Sequence, residues 1–220
     1  MTASNLWQLM LSIPKTLRFN LHYFPLRTAL KLPVIVSHRT LLRELHGQVV
    51  LPQNATTAMV RIGFGDVGHY DRKRSRSIWQ VSGSVSFGGR ANIGHGSKIS
   101  VRGSLTLGAD FNMTAESTIV CAHSIAFGND CLLSWDILVM DTDEHPLFNA
   151  EGLRINADRP IIVGNHVWIG CKCVLLKGAE VPSNTVVAAC TLLKSPIKGE
   201  NQVVGGNPPT TLRDGVRWEH

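Results

Sequence analysis

A short apolar pattern that ends in glycine recurs along the middle of the chain. Its four copies are residues 85–88 (VSFG), 105–108 (LTLG), 125–128 (IAFG) and 161–164 (IIVG). The first three copies stand twenty residues apart, and the fourth comes about sixteen residues later than that spacing requires. A unit that recurs at this length is typical of a stacked solenoid. The delay before the fourth copy predicts an insertion in one coil.

The apolar positions within the unit follow a period of six. Five successive hexads open with an aliphatic residue: Val163, Ile169, Leu175, Val181 and Val187. The fifth position often holds a small or short-branched residue: Val167, Cys173, Ala179, Thr185 and Thr191. This period does not fit a helix, but it fits three short strands per turn, with successive turns stacked as parallel strands about 4.8 Å apart. The glycine, asparagine and aspartate residues between the hexads suit the corners.

The tetrapeptide at residues 167–170 (VWIG) is the most specific part of this pattern. With the hexads around it, the chain resembles the left-handed parallel β-helix of hexapeptide-repeat acetyltransferases over about residues 83–213. The resemblance is closest to the sugar and polysaccharide O-acetyltransferases of the galactoside and maltose type. It implies the left hand, which departs from the usual right-handed crossover rule, and it implies a homotrimer. An all-β sandwich with alternating strands is the alternative fold.

The chain outside the hexads predicts three regions. We expect an N-terminal helical or irregular cap over residues 1–55, a β-helix over 56–213 with an inserted loop at 145–160, and a C-terminal tail at 214–220. Apolar residues at helical spacing near the start are Leu6, Leu9, Met10, Ile13 and Leu17. Because Pro14, Pro25 and Pro33 interrupt this region, short helices joined by turns are predicted. They would cover the open strand edge of the coil or contact a membrane surface.

Composition narrows the class of protein. The 220 residues are 44% hydrophobic and only 17% charged, which fits a coil whose flat faces are covered by sister subunits. The formal net charge is +6 and is concentrated in the first third, including a basic run at residues 72–76. That charge indicates a solvated face or an anionic partner, and no motif for nucleic acid accompanies it. No membrane-spanning run or signal peptide is evident, so a cytoplasmic location is expected, with peripheral contact to the inner face of the membrane as an option.

The five cysteines do not predict disulfides, because their number is odd and they lie in the repeats. Cys131 and Cys173 stand at fifth positions of hexads, which predicts a packing role in the core. Cys171 and Cys173 form a C-x-C pair, which is a poor metal motif. We therefore expect no metal and no cysteine nucleophile.

His145 stands where the chain leaves the rigid coil, and it is followed by Pro146. In the hexapeptide acetyltransferases of sugars, a histidine followed by proline at this point is the catalytic base. The resemblance therefore implies transfer of acetyl from acetyl-CoA to a saccharide hydroxyl, with His145 as the general base. The transfer would be direct, without an acyl-enzyme. Asp141 or Asp143 would orient the imidazole, and the sequence does not choose between them.

Other site residues carry over from the resemblance. The side-chain amide that the family uses for substrate or oxyanion contact falls near Asn112 and Thr114, and Trp168 matches a tryptophan beside the active-site loop, where a packing role is the alternative. The cofactor positions that the resemblance implies are Cys171, Ala189, Lys194, Lys198 and Arg213.

Two other functions remain open from the sequence. A metal-dependent hydratase on the same coil would use histidines from adjacent subunits. The candidates are His95, His123, His145 and His166, which lack the expected close pair. A noncatalytic assembly module is the second alternative, although an inert coil does not need a long insertion that begins with His-Pro.

Overall fold

The computed structural model describes residues 3–71 and 73–219, which form three parallel sheets, two helices and connecting loops. Face 1 contains β1 (Val34–Val36), β4 (Val60–Phe64), β7 (Ala91–His95), β10 (Phe111–Ala115), β13 (Leu132–Trp135), β16 (Trp168–Ile169), β19 (Val186–Val187), β21 (Gln202–Gly206) and β22 (Pro209–Asp214). Face 2 contains β2 (Thr40–Glu44), β5 (Ser77–Val81), β8 (Lys98–Val101), β11 (Thr118–Cys121), β14 (Leu138–Met140), β17 (Val174–Leu176) and β20 (Leu192–Leu193). Face 3 contains β3 (Gln48–Val50), β6 (Ser84–Phe87), β9 (Ser104–Leu107), β12 (Ser124–Phe127), β15 (Ile161–Val163) and β18 (Glu180–Val181).

From β1 to β20, strands that follow one another along the chain lie on successive faces, so each turn of the chain visits all three faces of a triangular prism. The predicted fold class, a left-handed parallel β-helix with a helical N-terminal appendage, is confirmed. The four glycine-ended segments of the sequence are the strands β6, β9, β12 and β15 of face 3. Their first apolar residues are in register from coil to coil and fully buried: Val85, Leu105, Ile125 and Ile161. Burial of each such side chain contributes about 1.5–3 kcal/mol.

Polar residues in the left-handed conformation turn the chain at the edges of the prism. Between faces 3 and 1 these residues are Asp110, Asp130, His166 and Asn184, with φ between +53° and +57°. Aspartate and asparagine tolerate this conformation because their short polar side chains bond locally. Cys131 and Cys173 each follow a residue in this conformation, Asp130 and Lys172, and both are fully buried in the core as predicted.

The coil begins at Val34 rather than at the predicted residue 56, because β1, β2 and β3 pair with the strands of the next coil. These three strands lack the glycine-ended pattern, which is why the hexads did not reveal them. At the other end, β22 runs antiparallel to β21 and closes the last coil as a hairpin. The excursion between β14 and β15 lies where the sequence placed the inserted loop.

A second excursion, at residues 65–76, separates β4 from β5 and was not predicted. It folds over the edge between faces 1 and 2, where the Tyr70 hydroxyl donates to the Asp136 carboxylate and Ser75 donates to Glu116. Burial and the hydrogen bond to Asp136 raise the pKa of Tyr70. Arg72, part of the predicted basic run, lies outside the described residues.

Helix α1 (Ala3–Tyr23) continues through Pro14, contrary to the predicted short helices, and α2 (Leu26–Ala29) follows Pro25. Pro14 is exposed, so the backbone bond that it removes lies on the outer side of the helix. The inner side is held by tertiary contacts to β1. No helix in the described part of the chain is long and apolar enough to span a bilayer.

The contacts of α1 to β1 are made by polar side chains one helical turn apart. Each accepts a hydrogen bond from a backbone amide of the open strand or its extension: Ser12 from His38 at 2.9 Å, Thr16 from Val36 at 3.0 Å and Asn20 from Val34 at 3.3 Å. The Asn20 amide also donates to the Val34 carbonyl at 2.6 Å. An unpaired strand edge is a template for aggregation. The polar side chains of α1 therefore replace the strand that is missing beside β1.

We expect Asn20→Ala to lower the free energy of unfolding by about 1–3 kcal/mol, because it leaves a buried amide and a buried carbonyl of Val34 without partners. Urea titration followed by circular dichroism measures the change. Arg18→Ala, an exposed change on the same helix, is the matched control and should stay within about 0.5 kcal/mol of the parent. Equal stability of the two variants would contradict the edge-capping role of Asn20.

Candidate active site

His145 lies in the excursion between β14 and β15, at the edge of the prism where faces 2 and 3 meet. Its side chain is exposed, and its ring makes no hydrogen bond to any other residue that the structure describes. Its backbone amide donates to the Asp143 carbonyl at 2.6 Å. The ring is thus open to a substrate or a neighbouring molecule, while the backbone beneath it is held.

Beyond His145 the excursion forms a small hairpin. Phe148 and Arg154 form an antiparallel bridge, and the Ile155 amide donates to the Leu147 carbonyl at 2.9 Å. Gly152, with φ of +77°, lies in the turn. Four large apolar side chains of this hairpin are at least half exposed: Leu147, Phe148, Leu153 and Ile155. Such a cluster on a short hairpin is typical of a surface that another chain covers.

Asn156 holds the chain around His145 through three hydrogen bonds, two to backbone and one to a side chain. Its side-chain amide nitrogen donates to the His145 carbonyl and to the Asp143 carboxylate, both at 2.8 Å, and its oxygen accepts from the Leu147 amide at 2.7 Å. The side chain is only 8% exposed. Sequence reasoning missed this residue, because a single asparagine in a loop carries no signal of its long-range partners.

Lys177, at the same edge in the following coil, was also missed. Its ammonium donates to the Asp143 carboxylate at 2.5 Å and to the Asn156 carbonyl at 3.0 Å. The hydrogen bonds from Lys177 and Asn156 hold the pKa of the Asp143 carboxyl below its usual value. The loop is therefore tied to two consecutive coils at once.

Asp141 is fully buried and serves the coil rather than the imidazole. Its carboxylate accepts hydrogen bonds from three successive backbone amides of the preceding coil: Ala122 at 2.7 Å, His123 at 2.9 Å and Ser124 at 2.7 Å. Charge-assisted bonds of this kind are about twice as strong as neutral ones. Neither of the two aspartates proposed to orient the ring touches it. Asp141 closes the edge of the prism, and Asp143 fixes the loop backbone.

The other predicted substrate residues lie on face 1, which is opposite the edge that carries His145. Asn112 and Trp168 belong to one column of register partners that also contains Arg61, Asn92 and Leu132. The Asn92 amide donates to Asn112 at 2.9 Å, and the Trp168 indole donates to Ser134 at 3.1 Å. Within one chain the structure does not bring Asn112 or Trp168 to His145.

Thr114 is on the same face, two residues after Asn112 in β10. Its hydroxyl oxygen is buried, and it has no hydrogen-bond partner among the described residues. Thr114 is absent from the lining of the groove that contains Asn112. Of the two alternatives for the side-chain contact to substrate, Asn112 is the one that borders open space.

That groove, of about 630 Å³, runs along face 1 and was not predicted. Its polar lining consists of Arg61, Arg90, Asn92, Asp110, Asn112 and Asp130. The column Asn92–Asn112, twenty residues apart, is the sequence signal that would have revealed it. The two guanidinium groups are matched by the carboxylates of Asp110 and Asp130, and together with the two amides they offer hydrogen-bond donors and acceptors to a ligand rich in hydroxyls.

The C-terminal tail packs beside this face instead of extending into solvent. The Trp218 indole stacks on the His166 ring with centroids 4.3 Å apart, and it lies 6.0 Å from the Trp168 ring. His166 in turn contacts the Asp130 carboxylate at 2.6 Å. Trp218 is therefore a further aromatic side chain near Trp168 that sequence reasoning did not assign to the site.

The predicted cofactor residues do not form one cluster. Cys171 and Ala189 lie at the edge between faces 1 and 2 in successive coils, and the Cys171 carbonyl accepts from the Cys190 amide at 2.9 Å. Lys194 follows β20 and is exposed. Lys198 lines a pocket of about 340 Å³ against β21 and β22. Arg213, in β22, is exposed and is not among the residues that line this pocket.

Of the four histidines considered for a metal site, His123 and His145 lie at the edge between faces 2 and 3, His166 lies at the edge between faces 3 and 1, and His95 ends β7 on face 1. Over residues 3–71 and 73–219, no group of three or more histidine, cysteine, aspartate or glutamate side chains could hold a metal ion.

Comparison with known sequences places the chain beside enzymes that acetylate sugars. No protein-family model matches. A polysialic acid O-acetyltransferase from Neisseria meningitidis is 42% identical over 64 residues, which are 29% of this chain and 30% of that protein. A polysialic acid O-acetyltransferase from Escherichia coli O1:K1 / APEC is 26% identical over 124 residues, 56% of this chain and 38% of that protein. A galactoside O-acetyltransferase from Escherichia coli K12 is 29% identical over 111 residues, 49% of this chain and 53% of that protein. The matches thus span 30% to 53% of the length of these curated relatives.

Solved structures extend the likeness over most of the chain. The polysialic acid O-acetyltransferase OatWY superposes with a TM-score of 0.58 at 25% identity, over 82% of this chain and 91% of that one. The polySia-specific acetyltransferase NeuO superposes with a TM-score of 0.59 at 19% identity, over 82% and 72%. The predicted resemblance to sugar and polysaccharide O-acetyltransferases is confirmed.

We expect Asn156→Ala to release the loop without unfolding the coil. Removing the partners of buried polar groups costs about 1–3 kcal/mol locally, which is roughly 5- to 150-fold faster amide exchange. Hydrogen exchange with mass spectrometry over residues 142–157 at pH 7 measures this increase in exchange rate.

Because the pKa of Asp143 is lowered, the stability that its bonds add is complete at neutral pH and is lost only as the pH falls through that lowered value.

Asn54→Ala, a change at an exposed residue of another loop, serves as the control and should leave exchange in residues 142–157 unchanged. Unaltered exchange in the Asn156 variant would show that the hairpin is held by other contacts.

Proposed function

We propose that the protein is an acetyl-CoA-dependent O-acetyltransferase that acetylates a hydroxyl of a saccharide or of a surface polysaccharide precursor. His145 is the general base. The observation that carries this proposal is that Asn156 holds the His145 carbonyl, the Leu147 amide after it and the Asp143 carboxylate before it, while the ring itself is left open. A base that is positioned by the fold and free to meet its substrate is what general-base catalysis requires. The names of the matched relatives support the class of reaction.

The proposed reaction is a direct transfer between two bound substrates. An imidazole nitrogen of His145 takes the proton of the acceptor hydroxyl as its oxygen bonds to the thioester carbonyl carbon. When the tetrahedral intermediate collapses, the C–S bond breaks and the imidazolium returns the proton to the departing thiolate. The products are the O-acetylated saccharide and free CoA, and His145 is neutral again. No group on the protein is acylated in this scheme.

The three buried cysteines are poor candidates for an acyl-enzyme nucleophile. Burial raises the pKa of Cys121 to about 12 and the pKa values of Cys131 and Cys173 to about 11. Since the thiolate is the nucleophilic form, these three thiols stay protonated and unreactive at neutral pH. They act as small apolar side chains of the core.

The site is proposed to form between two copies of the chain in a trimer. His145 lies at one edge of the prism, whereas Asn112, Trp168 and the groove lie on the opposite face. A stiff coil cannot bend to bring them together, so they meet only if the loop of one copy reaches face 1 of the next. The exposed apolar side chains of the hairpin at 147–155 supply the contact surface for such a neighbour. Cyclic symmetry then repeats the same site around the ring.

Within such a site, the guanidinium groups of Arg61 and Arg90 and the carboxylates of Asp110 and Asp130 offer both donors and acceptors to the hydroxyls of a saccharide. Asn112 would hydrogen-bond a hydroxyl or the oxyanion of the intermediate, and Trp168 would offer a flat apolar surface to a sugar ring. For the donor, Lys198 beside its pocket of about 340 Å³ offers a cation to a phosphate of acetyl-CoA. Cys171 and Ala189 are proposed to contribute backbone contacts, and Lys194 and Arg213 further positive charge.

We expect His145→Ala to lower kcat for acetyl transfer by about 100- to 10,000-fold, the usual contribution of a general base. Release of CoA thiol with a panel of neutral and acidic saccharides measures it. Because the His145 side chain is exposed, the melting temperature should not change.

His123→Ala provides the matched control, since His123 is an exposed histidine at the same edge one coil earlier. It should keep parental activity. A His145 variant that turns over at the parental rate would refute the assignment of the base.

Mixed oligomers test the shared site. A chain with His145→Ala and a chain with Asn112→Ala and Trp168→Ala should each be inactive alone. Coexpressed with different affinity tags, they should regain activity, because random mixing gives one intact site in about four in a cyclic trimer. If mixed oligomers form but stay inactive, the site does not span two chains.

A further inference from the structure

Helix α1 presents its apolar side chains to the outside of the protein. The side that packs on β1 carries Ser12, Thr16 and Asn20, whose polar groups cap the open strand, with Phe19 as the buried apolar anchor. The residues of the opposite arc are each at least 40% exposed: Leu6, Trp7, Met10, Leu11, Ile13, Leu17 and Leu21. A helix of a soluble domain normally turns its apolar stripe inward. In α1 the polar side faces the protein instead, because its side chains bond to the backbone groups at the edge of β1.

The apolar surface continues beyond the helix. Leu26 and Leu30, in and after α2, are 64% and 70% exposed. Beside α1 a narrow pocket of about 170 Å³ is lined almost entirely by apolar groups, among them Ile13, Leu17 and Phe64. We define the docking surface as the exposed apolar residues of α1 together with Leu26 and Leu30. It is larger and more continuous than the scattered apolar residues of an ordinary surface.

Every charged side chain on the segment that forms this docking surface is positive. Residues 3–43 contain six lysine and arginine residues and no aspartate or glutamate; the first acidic residue is Glu44. Arg18, Arg27 and Lys31 are exposed and have no ion-pair partner among the described residues. A second copy of the same surface would bring like charges together, which opposes self-association. A negatively charged plane satisfies both the apolar residues and the cations.

We infer that the docking surface binds the surface of an anionic phospholipid bilayer. The apolar side chains of α1 enter the boundary between headgroups and acyl chains, with the helix lying in the plane of the interface. Trp7 suits this boundary because its ring is apolar and its indole nitrogen can bond to headgroups or water. Arg18, Arg27 and Lys31 meet the phosphates. Since α1 covers the first strand of face 1, the loop with His145, four coils further on, stays clear of the bilayer.

Flotation of the full chain with vesicles tests this inference. We expect binding to vesicles of equal parts phosphatidylcholine and phosphatidylglycerol, and at least tenfold weaker binding to phosphatidylcholine alone. Leu6→Gln, Met10→Gln and Leu17→Gln together should weaken binding at least tenfold. Glutamine keeps the helix because its helix propensity is close to that of leucine and methionine. Arg18→Gln and Arg27→Gln should each weaken binding about fivefold, and added salt should do the same to the parent.

Leu212→Gln is the matched control, because it removes an equally exposed leucine from β22 at the far end of the coil, and it should bind like the parent. Melting curves check that every variant is folded. Equal binding to neutral and anionic vesicles, or unchanged binding by the triple glutamine variant, would overturn the inference. Failure of the parent to bind any vesicle would also overturn it. If, in that case, sedimentation shows that the triple variant has a different oligomeric state from the parent, the surface is instead a contact between copies of the chain. Acetyl transfer to a water-soluble saccharide should be unaffected in all of these variants, which separates this test from that of the proposed function.

Discussion

The stacking of like side chains from coil to coil is the interaction on which the rest of the structure depends. Val85, Leu105, Ile125 and Ile161 lie above one another in full burial, and every face repeats this arrangement. Because each coil is held by the coils on both sides, the prism is stiff along its whole length. Because the prism is stiff, loops leave its edges at fixed positions. The loop that contains His145 is also bonded to the following coil, since Lys177 donates to the Asp143 carboxylate and to the Asn156 carbonyl, and Asn156 donates to Asp143.

The same stiffness separates the parts of the candidate site. The imidazole of His145 is at one edge, and the groove with Arg61 and Asn112 is on the face opposite. In a fold with mobile domains such a distance could be closed by a hinge. In a prism it is closed only by a second copy, so oligomerisation would complete the site as well as cover the exposed hairpin. Assembly of the oligomer and formation of the site would then be the same event. The low fraction of charged residues fits a surface that other copies cover.

The open end of a stacked coil creates a second constraint. Strand β1 exposes a row of amides and carbonyls, and α1 satisfies them with side-chain oxygens and amides instead of backbone. Because the polar side chains of α1 face β1, the apolar side chains of the same helix face outward. The Asn20 contacts and the exposed position of Met10 are thus two consequences of one solution. The exposed apolar side of α1 is thus a consequence of the way in which the helix closes the coil. The cations beside it favour a negatively charged binding partner.

The sequence alone determined the repeat, the parallel coil, the place of the long excursion and the position of His145 at its start, because each depends on spacing along the chain. It also placed Cys131 and Cys173 in the core from their position in the hexads. It did not reveal β1 to β3, whose pairing rests on contacts with the following coil rather than on a local pattern, nor the continuity of α1 through Pro14, which the bonds to β1 enforce. The roles of Asp141, Asn156 and Lys177 were decided only by the tertiary structure, since their partners come from other coils or from across a hairpin. Local periodicity fixes the strands, whereas long-range hydrogen bonds at the edges decide which polar residues hold the loop and which face outward.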